Sequence, residues 1–185
     1  MFRLLTTNEL RKRNTDRESF KSLPKLPLYF ICDNFHYAWN VGAAFRIADA
    51  LRVECVYLCG ITAFPPHFEI ERTGGRAYRW VSWERRNSTA DTVMELKERG
   101  IQVVAAELAH DSVPLSMHEW NSPAAIVLGS EITGVQQCVL SRCDAVVELP
   151  MFGMKNSINV GSTAAVLAYD FFFRGCGGVI PSDEK

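Results

Sequence analysis

The sequence has little excess charge and no long apolar run. Its 20 Lys and Arg residues are balanced by 21 Asp and Glu residues, for a formal net charge of −1, so no global basic field argues for nucleic acid. The start, MFRLLTTNEL, lacks an apolar segment long enough for a signal peptide, and the apolar run 164–173 is short and interrupted by Asp170. These absences predict a cytoplasmic protein that is not associated with a membrane.

The sequence also lacks the cysteine spacings of disulfide and metal sites. It contains no CxxC pair and no histidine at zinc-finger spacing. Its six cysteines are Cys32, Cys55, Cys59, Cys138, Cys143 and Cys176. The first three lie in apolar segments, which is typical of buried, reduced thiols. We therefore expect free thiols in a reducing cytosol and no bound metal.

Charge is unevenly distributed along the chain. Residues 1–26 carry seven Lys and Arg residues against three acidic ones, which predicts a basic amino-terminal arm. The overall composition, 48% hydrophobic in a chain of 185 residues, is typical of one compact domain. We assign that domain to residues 27–174 and interpret residues 175–185 as a short carboxyl-terminal tail.

Short apolar segments alternate with amphipathic ones from residue 28 onward. The predicted strands are LYFIC (28–32), CVYLCG (55–60), IQVVAAE (101–107), AAIVLG (124–129) and AVVELP (145–150). The predicted helices are 40–51 capped by Asn40, 88–99 capped by Ser88, a short helix at 135–141, and 160–174, with 61–86 irregular. Continuous apolar strands separated by helices indicate an α/β fold, with a mostly parallel sheet covered by helices on both faces.

Polar residues cluster where predicted strands end and helices begin, which is the edge where ligands bind in parallel sheets. Asn40-Val41-Gly42 and Asn159-Val160-Gly161 both open helices, and each is either a plain cap or a helix start that another molecule can approach. Arg46 could pair with Asp49 on the helix surface. Alternatively, it could act together with Glu131, which follows a predicted strand in the turn GSEITG.

Three ordered segments carry a family resemblance. NVGAAFRIADAL, IVLGSEITGV and LPMFGMKNSINVGSTAAVLAY closely resemble the three signature motifs of the TrmH-like (SpoU) branch of the SPOUT RNA methyltransferases. The resemblance covers about residues 28–174. It implies a homodimer with an α/β fold whose carboxyl-terminal part forms a deep trefoil knot. It also implies transfer of a methyl group from S-adenosylmethionine to a ribose 2′-hydroxyl of RNA.

The resemblance also assigns roles to individual positions. The implied catalytic residues are Arg46, Asn40, Glu131, Ser157 and Asn159. The residues implied to bind the cofactor, largely through their backbone, are Ala106, Glu107, Gly129, Leu149, Pro150, Met151 and Ile158. The sequence departs from the family pattern at Ser130, where Asn is usual, at Gly161, where Ser is common, and at Arg52, where Gly is frequent. These departures concern the positioning of Glu131 and the contacts of a helix first turn.

Charge and aromatic content suggest where RNA would bind. A guanidinium stays protonated in proteins, so we interpret Arg46 as a cation that binds a phosphate and stabilises a developing alkoxide. The segment around Tyr78, Trp80 and Trp83 suits phosphates and unstacked bases, or it packs the core or a dimer interface. The candidate RNA contacts are Arg11, Arg13, Arg72, Arg76 and Arg79.

The resemblance leaves the RNA substrate open. Small members of the family that lack a separate RNA-binding domain commonly act on tRNA, so tRNA is the expected substrate and ribosomal RNA the second. One alternative is a catalytically silent RNA-binding dimer of the same fold, and the presence of Arg46 and Asn159 argues against it. Another is a base methyltransferase of the wider superfamily, against which Asn40 and Arg46 argue.

Overall fold

A parallel β-sheet forms the centre of the protein. The computed structural model describes residues 3–13 and 15–179. Its strands are β1 (Leu26–Asp33), β2 (Val53–Cys59), β3 (Trp83–Arg86), β4 (Gln102–Ala106), β5 (Val113–Pro114), β6 (Ala124–Leu128) and β7 (Ala145–Glu148). They form one sheet in the order β3-β2-β1-β6-β4-β7-β5, and every neighbouring pair is parallel. The predicted α/β class is confirmed.

Helices cover both faces of this sheet. The α-helices of the described residues are α1 (Thr7–Arg13), α2 (Arg17–Ser22), α3 (Ala38–Leu51), α4 (Phe68–Gly74), α5 (Thr89–Glu98), α6 (Gln137–Leu140) and α7 (Val160–Asp170), and those that pack on the sheet are α3 to α7. On one face, α3, α4 and α7 pack around Phe30 and Phe45. On the other face, α5 and α6 pack around Ile31 and Val127. The two-faced arrangement explains the continuous apolar strands, because alternate side chains of β1 and β6 enter different cores.

The strongest local signals are confirmed. Ser88 caps α5, accepting a hydrogen bond from the Asp91 backbone N–H at 3.2 Å, and Gly100 follows the helix with φ +75°. The predicted last helix is divided: α7 ends at Asp170, and Phe171–Gly175 continues as a π-helical turn. Within the described residues, no helix combines the length and apolarity needed to cross a bilayer.

Two sequence predictions are wrong. The first helix of the domain begins at Ala38 with Tyr37 as its N-cap, so Asn40 lies inside the first turn and does not cap it. The segment 61–86 is not irregular throughout, because it contains α4 and β3. Both elements are short, and β3 is a polar edge strand of sequence WERR, so neither has the apolar periodicity that identifies longer elements.

The amino-terminal arm contains two short helices, α1 and α2. Thr6 and Glu9 form reciprocal hydrogen bonds at the start of α1, where Glu9 accepts from the Thr6 backbone N–H at 2.7 Å and Thr6 Oγ1 accepts from the Glu9 backbone N–H at 3.3 Å. Such a capping box favours helix formation locally. The side chains of the proposed RNA contacts Arg11 and Arg13 lie outside what the structure describes.

Candidate active site

A cavity of about 490 Å³ opens where β4, β6 and β7 end. Its size is in the range of pockets that hold small-molecule ligands. It is lined by the residues that follow each of these strands and by the loop before α7: Ala106, Glu107, Leu108, Leu128, Gly129, Ser130, Glu131, Ile132, Gly134, Val147, Glu148, Leu149, Met151, Asn156, Ser157, Ile158, Asn159, Val160 and Thr163. Adjacent parallel strands place these loops together, although they are distant in sequence.

Six of the seven proposed cofactor residues line this cavity, and Pro150 does not. The turn after β6 is held from the end of β4, because Glu107 accepts hydrogen bonds from the backbone N–H groups of Leu108 at 2.9 Å and Val135 at 2.8 Å. A Cβ at Gly129 would lie 2.5 Å from backbone atoms of Gly134 and Val135. The tight turn therefore requires glycine at position 129.

A hydrogen-bonded set joins the three motif segments at the cavity. The Asn40 side-chain N–H donates to Glu131 Oε1 at 2.5 Å, and the Asn159 side-chain N–H donates to Asn40 Oδ1 at 3.0 Å. Asn159 also caps α7, accepting from the Gly161 backbone N–H at 2.8 Å. Asn40 is 2% exposed and does not line the cavity, whereas Glu131 and Asn159 do. The amide of Asn40 thus fixes two cavity-lining side chains relative to each other.

His36 completes the support of Glu131, and sequence reasoning missed it. The His36 backbone N–H donates to Glu131 Oε2 at 2.8 Å, and its ring nitrogen Nδ1 lies 3.0 Å from Ser130 Oγ. Ser130, which departs from the family pattern, is 5% exposed and also accepts from the Ile132 backbone N–H at 3.3 Å. The signal that could have found His36 is the polar-aromatic loop DNFHYAW directly after buried β1.

Arg46 lies away from the cavity and is not among its lining residues. Its side chain is exposed and reaches the end of α4, where a Cβ built on Gly75 would lie 2.5 Å from Arg46 Nη1. Asp49, the alternative partner considered above, accepts a hydrogen bond from Trp80 Nε1 at 2.6 Å. Among the described residues, Arg46 makes no ion pair. Its charge is available to a bound molecule.

The glycines of the two NVG segments serve helix packing. A Cβ at Gly42 would lie 2.8 Å from Thr73 Cβ and 3.0 Å from the Gly74 backbone nitrogen, because α3 and α4 cross there. A Cβ at Gly161 would lie 2.8 Å from Ala43 Cβ, where α7 meets α3. Other parts of the chain occupy the space beside both glycines. The interpretation that these glycines open a helix start to another molecule is therefore wrong.

The aromatic-basic segment is tied into the fold. Tyr78 Oη donates to Glu71 at 2.6 Å, and the Trp83 ring packs edge-on against Phe45 with 6.4 Å between centroids. Arg76 and Arg79 are exposed and lie 3.6 Å and 3.7 Å from Glu71. Arg72 is exposed and lies over the Phe68 ring. The aromatic rings thus pack the domain, and the three arginines face outward.

Burial keeps the strand thiols neutral. Desolvation raises the pKa of Cys55 to about 12 and that of Cys59 to about 11, and it raises the pKa of Cys32 well above its ordinary value. All six cysteines are free. A thiol with a raised pKa is a weak nucleophile, so we interpret the buried Cys32, Cys55 and Cys59 as core residues. Among residues 3–13 and 15–179, no three His, Cys, Asp or Glu side chains are grouped as metal ligands.

Comparison with known proteins identifies the family. The model of the SpoU rRNA Methylase family matches residues 27–169. A tRNA (guanosine(18)-2′-O)-methyltransferase of Thermus thermophilus is 29% identical over 162 residues, covering 88% of this chain and 81% of that protein. The solved TrmH/SpoU tRNA-modifying enzyme of A. aeolicus is 24% identical, with a TM-score of 0.77, covering 95% of this chain and 90% of that one.

A third relative extends the same fold to ribosomal RNA enzymes. The AdoMet-bound rRNA methyltransferase of Sinorhizobium meliloti is 22% identical, with a TM-score of 0.73, covering 83% of this chain and 59% of that one. Likeness at this identity concerns the fold. The family model, in contrast, spans most of the sequence, including every segment that forms the cavity. The chain belongs to the SpoU (TrmH) family of RNA methyltransferases.

Proposed function

We propose that this protein transfers the methyl group of S-adenosylmethionine to a ribose 2′-hydroxyl of tRNA. The observation that carries the proposal is the hydrogen-bonded set of Asn40, Glu131 and Asn159, which fixes three separate segments around one cavity. Methyl transfer to an oxygen is an in-line displacement, so most of the acceleration can come from alignment of the reactants. A rigid polar frame beside a small-molecule cavity meets that requirement.

The cavity fits the cofactor in size and charge. S-adenosylmethionine supplies an electrophilic methyl group on a sulfonium cation. Three carboxylate residues, Glu107, Glu131 and Glu148, line the cavity and favour a ligand with cationic groups. The strand ends and turn at Ala106, Gly129 and Leu149 offer backbone donors and acceptors for its adenosine part. The cofactor would therefore be held mainly by residues 106–107, 129, 149, 151 and 158.

The polar residues divide the remaining work. Both oxygens of Glu131 accept hydrogen bonds from the protein, from His36 and Asn40, so its carboxylate is held in place where it lines the cavity. Ser157 and Asn159 lie at the cavity and would face the ribose. Arg46 would bind a substrate phosphate, because its guanidinium is exposed and unpaired among the described residues, whereas the alkoxide would form at the cavity, which Arg46 does not line.

We propose the substrate from the relatives and the homodimer from the exposed apolar residues of α7 and the turn that follows it. The Thermus relative, at 29% identity, acts on guanosine 18 of tRNA, and the protein from Sinorhizobium meliloti is an rRNA enzyme, so tRNA is proposed first and ribosomal RNA second. The free, buried thiols suit a cytoplasmic setting. Val166, Tyr169 and Phe173 form an exposed apolar stripe that supports a homodimer, since oligomer interfaces are apolar at their centre.

The test is methyl transfer to RNA followed by nucleoside analysis. The protein is incubated with labelled S-adenosylmethionine and either unmodified tRNA or ribosomal RNA, and digested nucleosides are identified by mass spectrometry. The expected product is a 2′-O-methylnucleoside in tRNA. A methylated base, or no transfer to any RNA while the cofactor binds, overturns the ribose proposal. A product in ribosomal RNA alone overturns the tRNA proposal and leaves the chemistry intact.

The variant Arg46→Ala tests whether Arg46 acts on the RNA substrate and not on the cofactor. Turnover is expected to be lost, while affinity for S-adenosylmethionine, measured by calorimetry, is unchanged because Arg46 does not line the cavity. Arg142→Ala is a matched control, because Arg142 is exposed and its guanidinium reaches only the Cys138 carbonyl. Full turnover in Arg46→Ala would remove Arg46 from the mechanism.

A further inference from the structure

Two exposed aromatic rings stack on each other at the start of α3. The centroids of Tyr37 and Trp39 lie 4.3 Å apart and their planes differ by 11°. Tyr37 is 40% exposed and Trp39 is 39% exposed. Since each ring covers one face of its neighbour, the exposed area lies on the outer faces and edges of the pair. These two rings are named here the Tyr37–Trp39 pair.

The pair is fixed relative to the proposed active site. Its two residues are bracketed by His36 and Asn40, and both of these bind Glu131, through the His36 backbone N–H at 2.8 Å and the Asn40 side chain at 2.5 Å. Tyr37 is the N-cap of α3, and Trp39 lies in the first turn. The backbone on either side of the rings is therefore anchored to a side chain that lines the cavity.

The pair differs from the aromatic residues that pack the domain. Tyr78 and Trp80 donate hydrogen bonds to Glu71 and Asp49. Trp83 packs against Phe45. As N-cap, Tyr37 makes no side-chain hydrogen bond to the helix. Neither Tyr37 nor Trp39 belongs to the two core clusters or to the residues packed against them. The core therefore does not account for the position of these two rings.

The chemistry of the proposed reaction supplies a ligand for such a pair. A ribose 2′-hydroxyl reaches the inside of a cavity most readily on a nucleotide outside a regular helix, and the base of that nucleotide or a neighbouring base then loses a stacking partner. Aromatic side chains replace that partner, and they do so for any base because every base has a π-face. A parallel ring pair next to the residues that hold Glu131 at the cavity offers this surface.

We propose that the Tyr37–Trp39 pair is a binding site for one unpaired nucleobase of the RNA substrate, at or next to the nucleotide that is methylated. This inference rests on the proposed function for its substrate class. It places the principal base contact in the loop after β1, whereas the sequence had offered the segment around Tyr78, Trp80 and Trp83 as one of two alternatives. Arg72, Arg76 and Arg79 would then contribute phosphate contacts outside the site.

Paired substitutions at Trp39 separate stacking from apolar contact. Trp39→Leu removes the π-face and keeps an apolar side chain, whereas Trp39→Phe keeps a π-face. The Kd of fluorescein-labelled single-stranded RNA is measured by anisotropy without cofactor, and the KM for tRNA is measured in the transfer assay. For Trp39→Leu both are expected to rise about tenfold, the order of one lost base–aromatic stack. Trp39→Phe should recover most of the affinity, and the KM for S-adenosylmethionine should stay unchanged in both.

A location control uses a tyrosine of β1 that also stacks on another ring. Tyr29 stacks on Tyr57 with 6.3 Å between centroids, four residues before the end of β1, so Tyr29→Leu should leave the Kd for RNA unchanged. Thermal unfolding establishes that each variant is folded. Wild-type affinity in Trp39→Leu, or equal loss in Trp39→Leu and Trp39→Phe, overturns the proposal. A change of mass in sedimentation of Trp39→Leu also overturns it, because it would place the pair between two copies of the chain.

The outcomes distinguish this inference from the proposed function. If the wild-type protein methylates ribose and Trp39→Leu binds RNA normally, the function stands and the stacking site fails. If the wild-type protein methylates no ribose but Trp39→Leu loses RNA affinity and Trp39→Phe regains it, the stacking site stands and the proposed function fails.

Discussion

At the scale of single residues, Asn40 links two cavity-lining side chains, a role that its sequence position does not indicate. Its amide donates to Glu131 and accepts from Asn159, so one buried side chain uses both of its ends. An amide is suited to this because it combines a donor and an acceptor, whereas a carboxylate only accepts. The role is invisible locally, since the partners are 91 and 119 residues away in the chain.

The substitution Asn40→Asp tests this arrangement with the side-chain shape preserved. The new carboxylate would face Glu131 without a proton to donate, so we expect kcat/KM for RNA to fall about 100-fold through misplacement of Glu131. The free energy of unfolding should fall by about 1–3 kcal/mol, because a buried hydrogen bond is lost. Methyl transfer and chemical denaturation measure the two effects.

Asn87→Asp is the matched control for Asn40→Asp. Asn87 is exposed, so the same change of charge there should alter neither quantity measurably. Normal activity in Asn40→Asp would show that Glu131 does not depend on the Asn40 amide.

At the scale of elements, the close approach of α3 and α4 explains two glycines. A Cβ at Gly74 would lie 2.9 Å from the Gly42 carbonyl oxygen, and a Cβ at Gly42 meets Thr73 and Gly74 in return. The helix that carries Asn40 and Arg46 is thus seated against the element whose end Arg46 reaches. Helix packing at this crossing therefore affects the position of both proposed catalytic residues.

The substitution Gly42→Ala tests the crossing through the sign of its effect. Alanine inside a helix is intrinsically more favourable than glycine by about 1 kcal/mol. At position 42 we nevertheless expect a loss of about 1–3 kcal/mol in the free energy of unfolding, because the added methyl group is overpacked against backbone. Denaturant unfolding with an unchanged m-value would measure this loss.

Gly153→Ala serves as the comparison, since a Cβ at Gly153 has nothing within 4 Å. Its stability should lie within about 0.5 kcal/mol of the wild type. Stabilisation by Gly42→Ala would mean that the two helices have room to separate.

At the scale of the whole molecule, the described residues leave an apolar stripe on α7 uncovered. Val166 and Tyr169 are both 43% exposed and Phe173 is 60% exposed, at positions that share one face of α7 and the turn that continues it. The rings of Tyr169 and Phe173 lie 6.3 Å apart. Exposed apolar patches of this kind mark association surfaces in soluble proteins, which supports the proposed homodimer.

We expect sedimentation to give twice the 20.8 kDa of one chain. Phe173→Glu should weaken the dimer about 30-fold or more, because it replaces the most exposed ring of the apolar stripe with a charge. Met94→Glu is the control, since Met94 is 43% exposed on α5, which packs on the opposite face of the sheet. A monomeric wild-type protein, or a Phe173→Glu protein that dimerises as the wild type does, would contradict the assignment.

The trefoil knot implied by the resemblance stays a prediction.

The sequence by itself determined the features that a single element can encode. The apolar runs of β1, β2, β4, β6 and β7 and the capped helix α5 could be read locally, because burial on both faces and helix capping leave a pattern within a few residues. The order of the three motif segments could also be recognised from the sequence. It indicated the family, and the match to the SpoU family model confirms that family. Short elements such as α4 and β3 left no such pattern and were missed.

Only the tertiary structure decided which side chains meet. It placed Asn40 inside α3 as the link between Glu131 and Asn159, filled the space beside Gly42 with α4, directed Arg46 away from the cavity, and left Tyr37 and Trp39 exposed. The physical reason is the strand order, in which β6 lies between β1 and β4. That order brings distant loops to one edge, and no local periodicity records it.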